Sequence, residues 1–271
     1  MIYVGIALLV VTAVLAFIRV RQVRSLREVK ATETSTVDDL RRLADGVAEE
    51  VGEPNRFHQY SEVKGIARCD APLSAELSGQ KAVYYKSEVI REYEESYWEH
   101  DSKTGRNERR TRRGSETLAS NERSVDFQVE DVTGRLLVIP SGASFETVKS
   151  VDRFESGAPN AGASITLGSF TLDLGEVFSL SSSGRRTLGF RYREGIVPVD
   201  ARVYILGEAS TESGALAIQT PGEKGRRFLV SVRSEEEIVR SAENAIRWLT
   251  FGSVSCGALG VVIFILGFIN R

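Results

Sequence analysis

Sulfur and imidazole are scarce in this sequence: two cysteines, Cys69 and Cys256, and two histidines, His58 and His100, are spread over 271 residues. So few and so scattered, they cannot form a disulfide framework or the CxxC-type spacing of a structural zinc module, and either redox compartment suits the chain. Glycine is common, yet it never falls into a GxGxxG or P-loop pattern, which leaves nucleotide binding without support. No Ser/His/Asp arrangement can be nominated on spacing. His58 lies in a polar linker and His100 at the mouth of a charged loop, so both read as surface histidines rather than catalysts. A formal net charge of −2 gives no whole-protein signature for nucleic acid. The expectation is a chain with no catalytic, cofactor-binding or metal-binding residues, no cofactor and no nucleic-acid partner.

Charge is missing altogether from two stretches. Trp248 to Ile269 is uncharged over about 22 positions, enough at a rise of roughly 1.5 Å per residue to cover the roughly 30 Å hydrocarbon core of a bilayer. Buried helices of soluble domains are seldom apolar on every face for so long. Ile2 to Ile18 is a second run of about 17 residues, near the lower limit for a span. A cleavable signal peptide competes with that reading, but there is no basic n-region before the run and no clear A-x-A site after it. Arg19, Arg21, Arg24, Arg27 and Lys30 follow the first run; Arg233, Arg240 and Arg247 precede the second, beyond which only Arg271 remains. On the positive-inside rule this gives two spans, a short N-terminus outside and a cytoplasmic central region. Gly252, Cys256 and Gly260 recur every four residues and mark a stripe where a second helix can approach closely. Gly5, Ala13 and Ala16 offer a weaker counterpart in the first run. Pairing within the chain, pairing between chains as a homo-oligomer, and simple lipid-facing helices all stay open.

What lies between is globular in class, with 42% hydrophobic and 27% charged residues over the whole chain, and one domain is the default. Thr36-x-x-Asp39 resembles a capping box, and Val37, Leu40, Leu43, Ala44, Val47 and Val51 repeat at helical spacing before Gly52 and Pro54 end the helix. Strands are expected at Val63 to Cys69, at Lys81 to Trp98 with one wet face, and at Leu118 to Glu130 with Val125, Phe127 and Val129 on one face. Others are expected at Arg135 to Ile139, Thr187 to Val197, Ala201 to Ala209, Ala215 to Gln219 and Arg227 to Val232. Gly157 to Gly168 and Ser179 to Gly184 read as loops. His100 to Glu116 reads as the tip of a hairpin, carrying Arg106, Arg109, Arg110, Arg112 and Arg113. The bland reading of that tip is a solvated loop, and the functional one is a patch for anionic lipid headgroups or a protein partner. Glu194 is either a buried carboxylate or, more commonly for such a residue, a strand-edge charge. Ser234-x-x-Glu237 caps a last helix with no Gly or Pro before the second run.

Short strands at close spacing argue for a mainly β fold, a compact barrel or sandwich with flanking helices, between two transmembrane helices. The expected organisation is a first transmembrane helix over 2–18, a basic juxtamembrane segment and amphipathic helix over 19–62, a β domain over 63–233, and a capped helix over 234–269 that continues into the second span.

The order of several motifs resembles the GIDE domain family, also called BAM (Besides A Membrane). They are VKGIARCDAPLSAELSG at Val63 to Gly79, the run around Tyr84, Tyr85, Glu92, Tyr93 and Trp98, YREGIVPVDARVYILGEA at Tyr192 to Ala209, and FLVSVRSEEEIV before the second span. The family includes a mitochondrial membrane E3 ubiquitin ligase in which a RING follows the second span. Here the chain stops at Arg271, and two cysteines with two histidines cannot supply a RING's zinc sites. The resemblance therefore implies a membrane-anchored partner-binding or scaffold module without its own RING, its partners the lipid bilayer and a protein not identifiable from sequence. The alternative is an E3 ubiquitin transferase-like component that borrows a RING or conjugating enzyme from another chain.

Overall fold

A computed structural model describes residues 2–31, 34–51, 57–101, 105–157, 164–167, 170–173 and 185–269. Two long helices bracket a β body. Helix α1 (Ile2–Ala31) carries the first uncharged run straight on into the basic cluster, so Arg19, Arg21, Arg24, Arg27 and Lys30 lie on the same helix. Helix α2 (Val37–Val51) follows, with Thr36 and Asp39 in a reciprocal box: Asp39 N–H donates to Thr36 Oγ1 and Thr36 N–H to the Asp39 carboxylate, each at 3.2 Å. A turn from elsewhere in the chain completes the cap, because Val37 N–H donates to Asp131 Oδ2 at 2.8 Å and Asp38 N–H to Thr133 Oγ1 at 3.1 Å. Val37, Leu40 and Ala44 face the core, whereas Leu43 is exposed and leaves the expected stripe. Gly52 and Pro54, the expected stop, lie outside the described residues.

The body contains a closed five-stranded barrel. Strand β1 (His58–Arg68) pairs with β5 (Phe127–Glu130), which continues through β6 (Arg135–Val138) and β13 (Ala217–Gln219) to β12 (Arg202–Ser210), and β12 returns to β1. Closure is tight enough that a Cβ on Gly65 would sit 2.5 Å from the Glu130 carbonyl oxygen, so glycine is required where β1 meets β5. The free end of β12 takes β14 (Leu229–Ser231), which is extended by β7 (Ser144–Glu146). Val63, Val129, Val138, Ile205, Ile218 and Val230 fill the interior. His58 begins β1, with its ring Nδ1 2.7 Å from Glu208 Oε1; the expected polar linker is strand.

A second sheet is built on β3 (Lys81–Asp101), flanked by β4 (Arg106–Ser124) on one side and β11 (Arg185–Pro198) on the other, with β8 (Val148–Ser156) beyond β11 and the short β2 (Leu73–Ser74) at the start of β3. The first part of β3 has no wet face. Val83 and Tyr84 join the barrel core, while Ala82 and Tyr85 pack on Ile196. The return strand expected over Leu118 to Glu130 is two strands, since β4 ends at Ser124 and the chain crosses to the barrel as β5. The loop expected over Gly157 to Gly168 contains β9 (Ser164–Leu167), which pairs with β10 (Phe170–Asp173). The loop expected at Ser179 to Gly184 lies outside the described residues.

Helix α3 (Glu235–Ile269) is a single uninterrupted helix. Ser234 Oγ accepts the Glu237 N–H at 3.3 Å, while the carboxylate that reaches Ser234 is that of Glu236, held below its ordinary pKa by its own backbone N–H and then by Ser234. Tyr3–Arg24, with a mean hydropathy of 2.4, and Glu235–Ile269, at 2.2, are both long and apolar enough to cross a membrane.

Candidate functional site

Charge alternation builds an exposed feature of the second sheet. β3 and β4 pair from Tyr84 opposite Ser124 out to Asp101 opposite Arg106, whereas β11 covers β3 only as far as Glu95. Among the described residues, β3 from Ser96 outward pairs with β4 alone, and this two-stranded part is the ribbon. This overturns the expected loop: His100 lies in β3, with Nδ1 3.0 Å from Asn107 Oδ1, and all five arginines lie in β4. Strand β3 runs to Asp101 and β4 starts at Arg106, directly after Gly105 at a φ of 68°. Glutamates and arginines at facing positions can stabilise a ribbon that has no apolar face of its own.

Strand periodicity then divides the arginines. Residues directly opposite share a face, so Tyr97 with Arg110 and Glu95 with Arg112 lie on one side, and Trp98 with Arg109 and Glu94 with Arg113 on the other. On the first face Arg110 and Arg112 are paired. Arg110 reaches Glu99 at 2.8 Å, and Glu95 accepts from Arg112 at 2.7 Å and Arg185 at 3.1 Å, contacts that hold its carboxyl below its ordinary pKa. Arg112 also lies over the Tyr97 ring at 5.7 Å. On the second face Trp98 is 69% exposed, and among the described residues Arg109 and Arg113 have no ion-pair partner. Arg106, at the tip on the first face, has none either. The five arginines are thus brought together in one strand but not on one surface. Trp98, which completes the second face, was not among the expected site residues; closing the hairpin at Gly105 instead of opening it at His100 places it opposite Arg109.

Two buried carboxylates organise the rest. Glu194, 1% exposed, lies in a central strand rather than at an edge. Its oxygens accept from Leu77 N–H at 2.7 Å, Ser78 N–H at 3.1 Å, Ser87 Oγ at 2.8 Å and Ser150 Oγ at 2.8 Å. Burial would raise its pKa, but these donors outweigh burial and hold it below the ordinary value. Glu62, also 1% exposed, accepts from Thr34 Oγ1 at 2.6 Å and Tyr204 Oη at 2.8 Å and lies 3.0 Å from Lys64 Nζ. Lys64 in turn holds Glu235 at 2.7 Å, in the first turn of α3. Burial would lower the Lys64 pKa, and the bonds to Glu235 and Glu62 raise it instead. A barrel strand is thereby fastened to the start of α3. Sequence reading missed this junction, because each of its residues looks like an ordinary strand or cap charge by itself.

The small-residue stripe of α3 faces α1. A Cβ on Gly260 would lie 3.1 Å from Leu8 Cβ, one on Gly257 3.3 Å from Thr12, and one on Gly252 3.7 Å from Leu15. Cys256 is half-buried between them as a free thiol. The partner face is Gly5, Leu8, Thr12 and Leu15; Ala13 and Ala16 are exposed and take no part. Of the arrangements left open by sequence, the structure shows pairing within one chain. Among the described residues no group of three or more His, Cys, Asp or Glu is placed to hold a metal ion.

Neither the curated proteins nor the solved structures give a match. The model of the GIDE family, described as an E3 ubiquitin ligase, matches residues 94–264, a segment that begins in β3, includes the ribbon, β11 and β12, and ends within α3. That segment is more than half of the chain, and the chain belongs to the GIDE family.

Proposed function

We propose that this chain is a membrane-anchored scaffold that presents its ribbon to a protein partner beside the membrane, with the β body on the cytoplasmic side. The observation that carries the reading is the Trp98, Arg109 and Arg113 face. Exposed Trp and Arg are among the side chains most often found at the energetic centres of interfaces; here Trp98 and Arg109 face each other in the ribbon with Arg113 at its base, while on the other face Arg110 and Arg112 are paired with Glu99 and Glu95. The two apolar helices supply the anchor, and the Lys64–Glu235 contact fixes the body to one of them. The Arg19 to Lys30 cluster and Arg233, Arg240 and Arg247 favour the cytoplasmic side.

A second reading draws on the ligase description of the family: a component of ubiquitin or ubiquitin-like transfer that takes its RING or conjugating enzyme from another chain. Two cysteines and two histidines in these 271 residues do not suffice for a RING's two zinc sites. Purification of the full chain from its native membrane in mild detergent separates the two. Recovery of a zinc-RING protein or of ubiquitin-like conjugates supports the ligase component; a stoichiometric partner lost on Trp98→Ala supports the scaffold. Release of the chain from membranes by alkaline extraction, or a reporter inserted in the β body found on the trans side, contradicts the proposed anchoring or orientation respectively.

A further inference from the structure

We propose that the wedge between α1 and α3 directly beneath the barrel binds the headgroup of one anionic phospholipid, an inference that rests on the membrane anchoring proposed above. Within the uncharged runs the helices are drawn together at Gly257 and Gly260. At the domain end of that contact Arg19 Nε donates to Thr250 Oγ1 at 2.9 Å. Beyond it a cavity of about 550 Å³ opens between the helices, roofed by Glu146 and Arg227 of the body. Its volume is that of a small-molecule site.

Depth favours a lipid. Arg19 and Thr250 mark the domain-side ends of the two uncharged runs, and the α1 wall of the cavity extends from Phe17 to Leu26, about 14 Å at the helical rise. A headgroup layer is roughly 5–7 Å thick on each side of the hydrocarbon core. The cavity therefore begins at the hydrocarbon edge and reaches through that layer.

Chemistry favours a negative charge. Phe17 and Ile18 form an apolar floor, with Ala242 and Ala245 opposite. The Arg21 guanidinium lies 5.0 Å over the Phe17 ring, and among the described residues it has no ion-pair partner. Glu146 is the acidic group in the cavity, and its charge is already answered, with Arg227 at 3.7 Å and Ser231 Oγ donating at 3.0 Å. Arg21 is left as the uncompensated charge above an apolar floor. A guanidinium matches phosphate oxygens with paired donors. A phospholipid brings that phosphate at this depth with its acyl chains continuing along the helix pair, and an anionic one brings no cation of its own to oppose Arg21.

The test uses the full chain in bilayer nanodiscs of phosphatidylcholine, with and without phosphatidylglycerol, and native mass spectrometry of the lipid retained on release. One phosphatidylglycerol per chain is expected, with retention lowered about tenfold by Arg21→Gln and by the cavity-filling Ala242→Trp, the scale of losing one charge-assisted contact. Arg109→Gln in the ribbon leaves it unchanged. Equal retention of the two lipids, retention indifferent to Arg21→Gln, or displacement of the lipid by millimolar inorganic phosphate overturns the proposal. A chain that resists alkaline extraction yet retains no lipid refutes this inference alone, whereas a chain that is extracted refutes the anchoring as well.

Discussion

The closed barrel, antiparallel except where β6 meets β13, and the antiparallel ribbon are both built of paired strands, yet they are held by different forces. In the barrel each strand hides a row of side chains such as Val63, Val129, Ile205 and Ile218, all fully buried, and the backbone edges are consumed by closure. In the outer ribbon Trp98 lies in the open, and cross-strand contacts are charge pairs such as Glu95 with Arg112 and Glu99 with Arg110. Exposed pairs of this kind contribute little and weaken with salt. The barrel is therefore the part that fixes the fold. Under the proposed function the ribbon is the part that carries recognition, because its exposed charge pairs contribute little to holding the body together.

Breaking the barrel should have the largest effect. Phe127→Ala removes a ring that is 2% exposed and should cost about 3–5 kcal/mol, read as a large drop in melting temperature of the detergent-solubilised chain. Glu194→Gln comes next, because it turns one acceptor toward the donors as an NH2 group; a loss of about 1–3 kcal/mol is expected. The same residue gives a pH signature. Its folded pKa lies below the ordinary 4.5, so its stabilisation is present above pH 4.5 and lost as pH falls through the lowered folded value. Wild type should lose stability there more steeply than Glu194→Gln, a difference seen in parallel melting curves. Arg112→Ala should barely move the melting temperature of the body, but it should speed amide exchange in the ribbon, and high salt should erase the difference from wild type. Trp98→Ala should have no measurable effect on stability at all. A fall in melting temperature comparable to that of Phe127→Ala would make the ribbon structural and abolish the contrast.

The contrast also explains what could be read from sequence. Helix α2 was legible because its cap and its 3.6-residue period agree, and β11 and β12 because β-branched and aromatic residues concentrate there. The outer half of β4 was not, since a stretch such as RNERRTRRG has the composition of a loop, and only the register against Glu94, Glu95 and Glu99 makes it a strand. Glu194 looked like an edge charge because its covering strand β8, VKSVDRFES, has too few apolar residues to announce itself. The stripe Gly252, Cys256 and Gly260 was readable as a period, but its partner face is built from Leu8, Thr12 and Leu15 as well as Gly5, and a search for small residues alone selects Ala13 and Ala16. Leu43 carries the right period and still lies outside the core, because the buried arc of α2 is only as wide as the Val37, Leu40 and Ala44 side.

Site-specific photocrosslinking in native membranes tests the division between scaffold and recognition surface most directly. A crosslinking residue is placed in the full chain at Trp98 in one experiment and at Val132 in another, the latter a still more accessible position in the β5–β6 turn of the barrel. The ribbon account predicts a discrete protein adduct from position 98 that is lost on Arg109→Ala, and none from position 132. Equal adducts from both positions, or an adduct from position 132 alone, would contradict it.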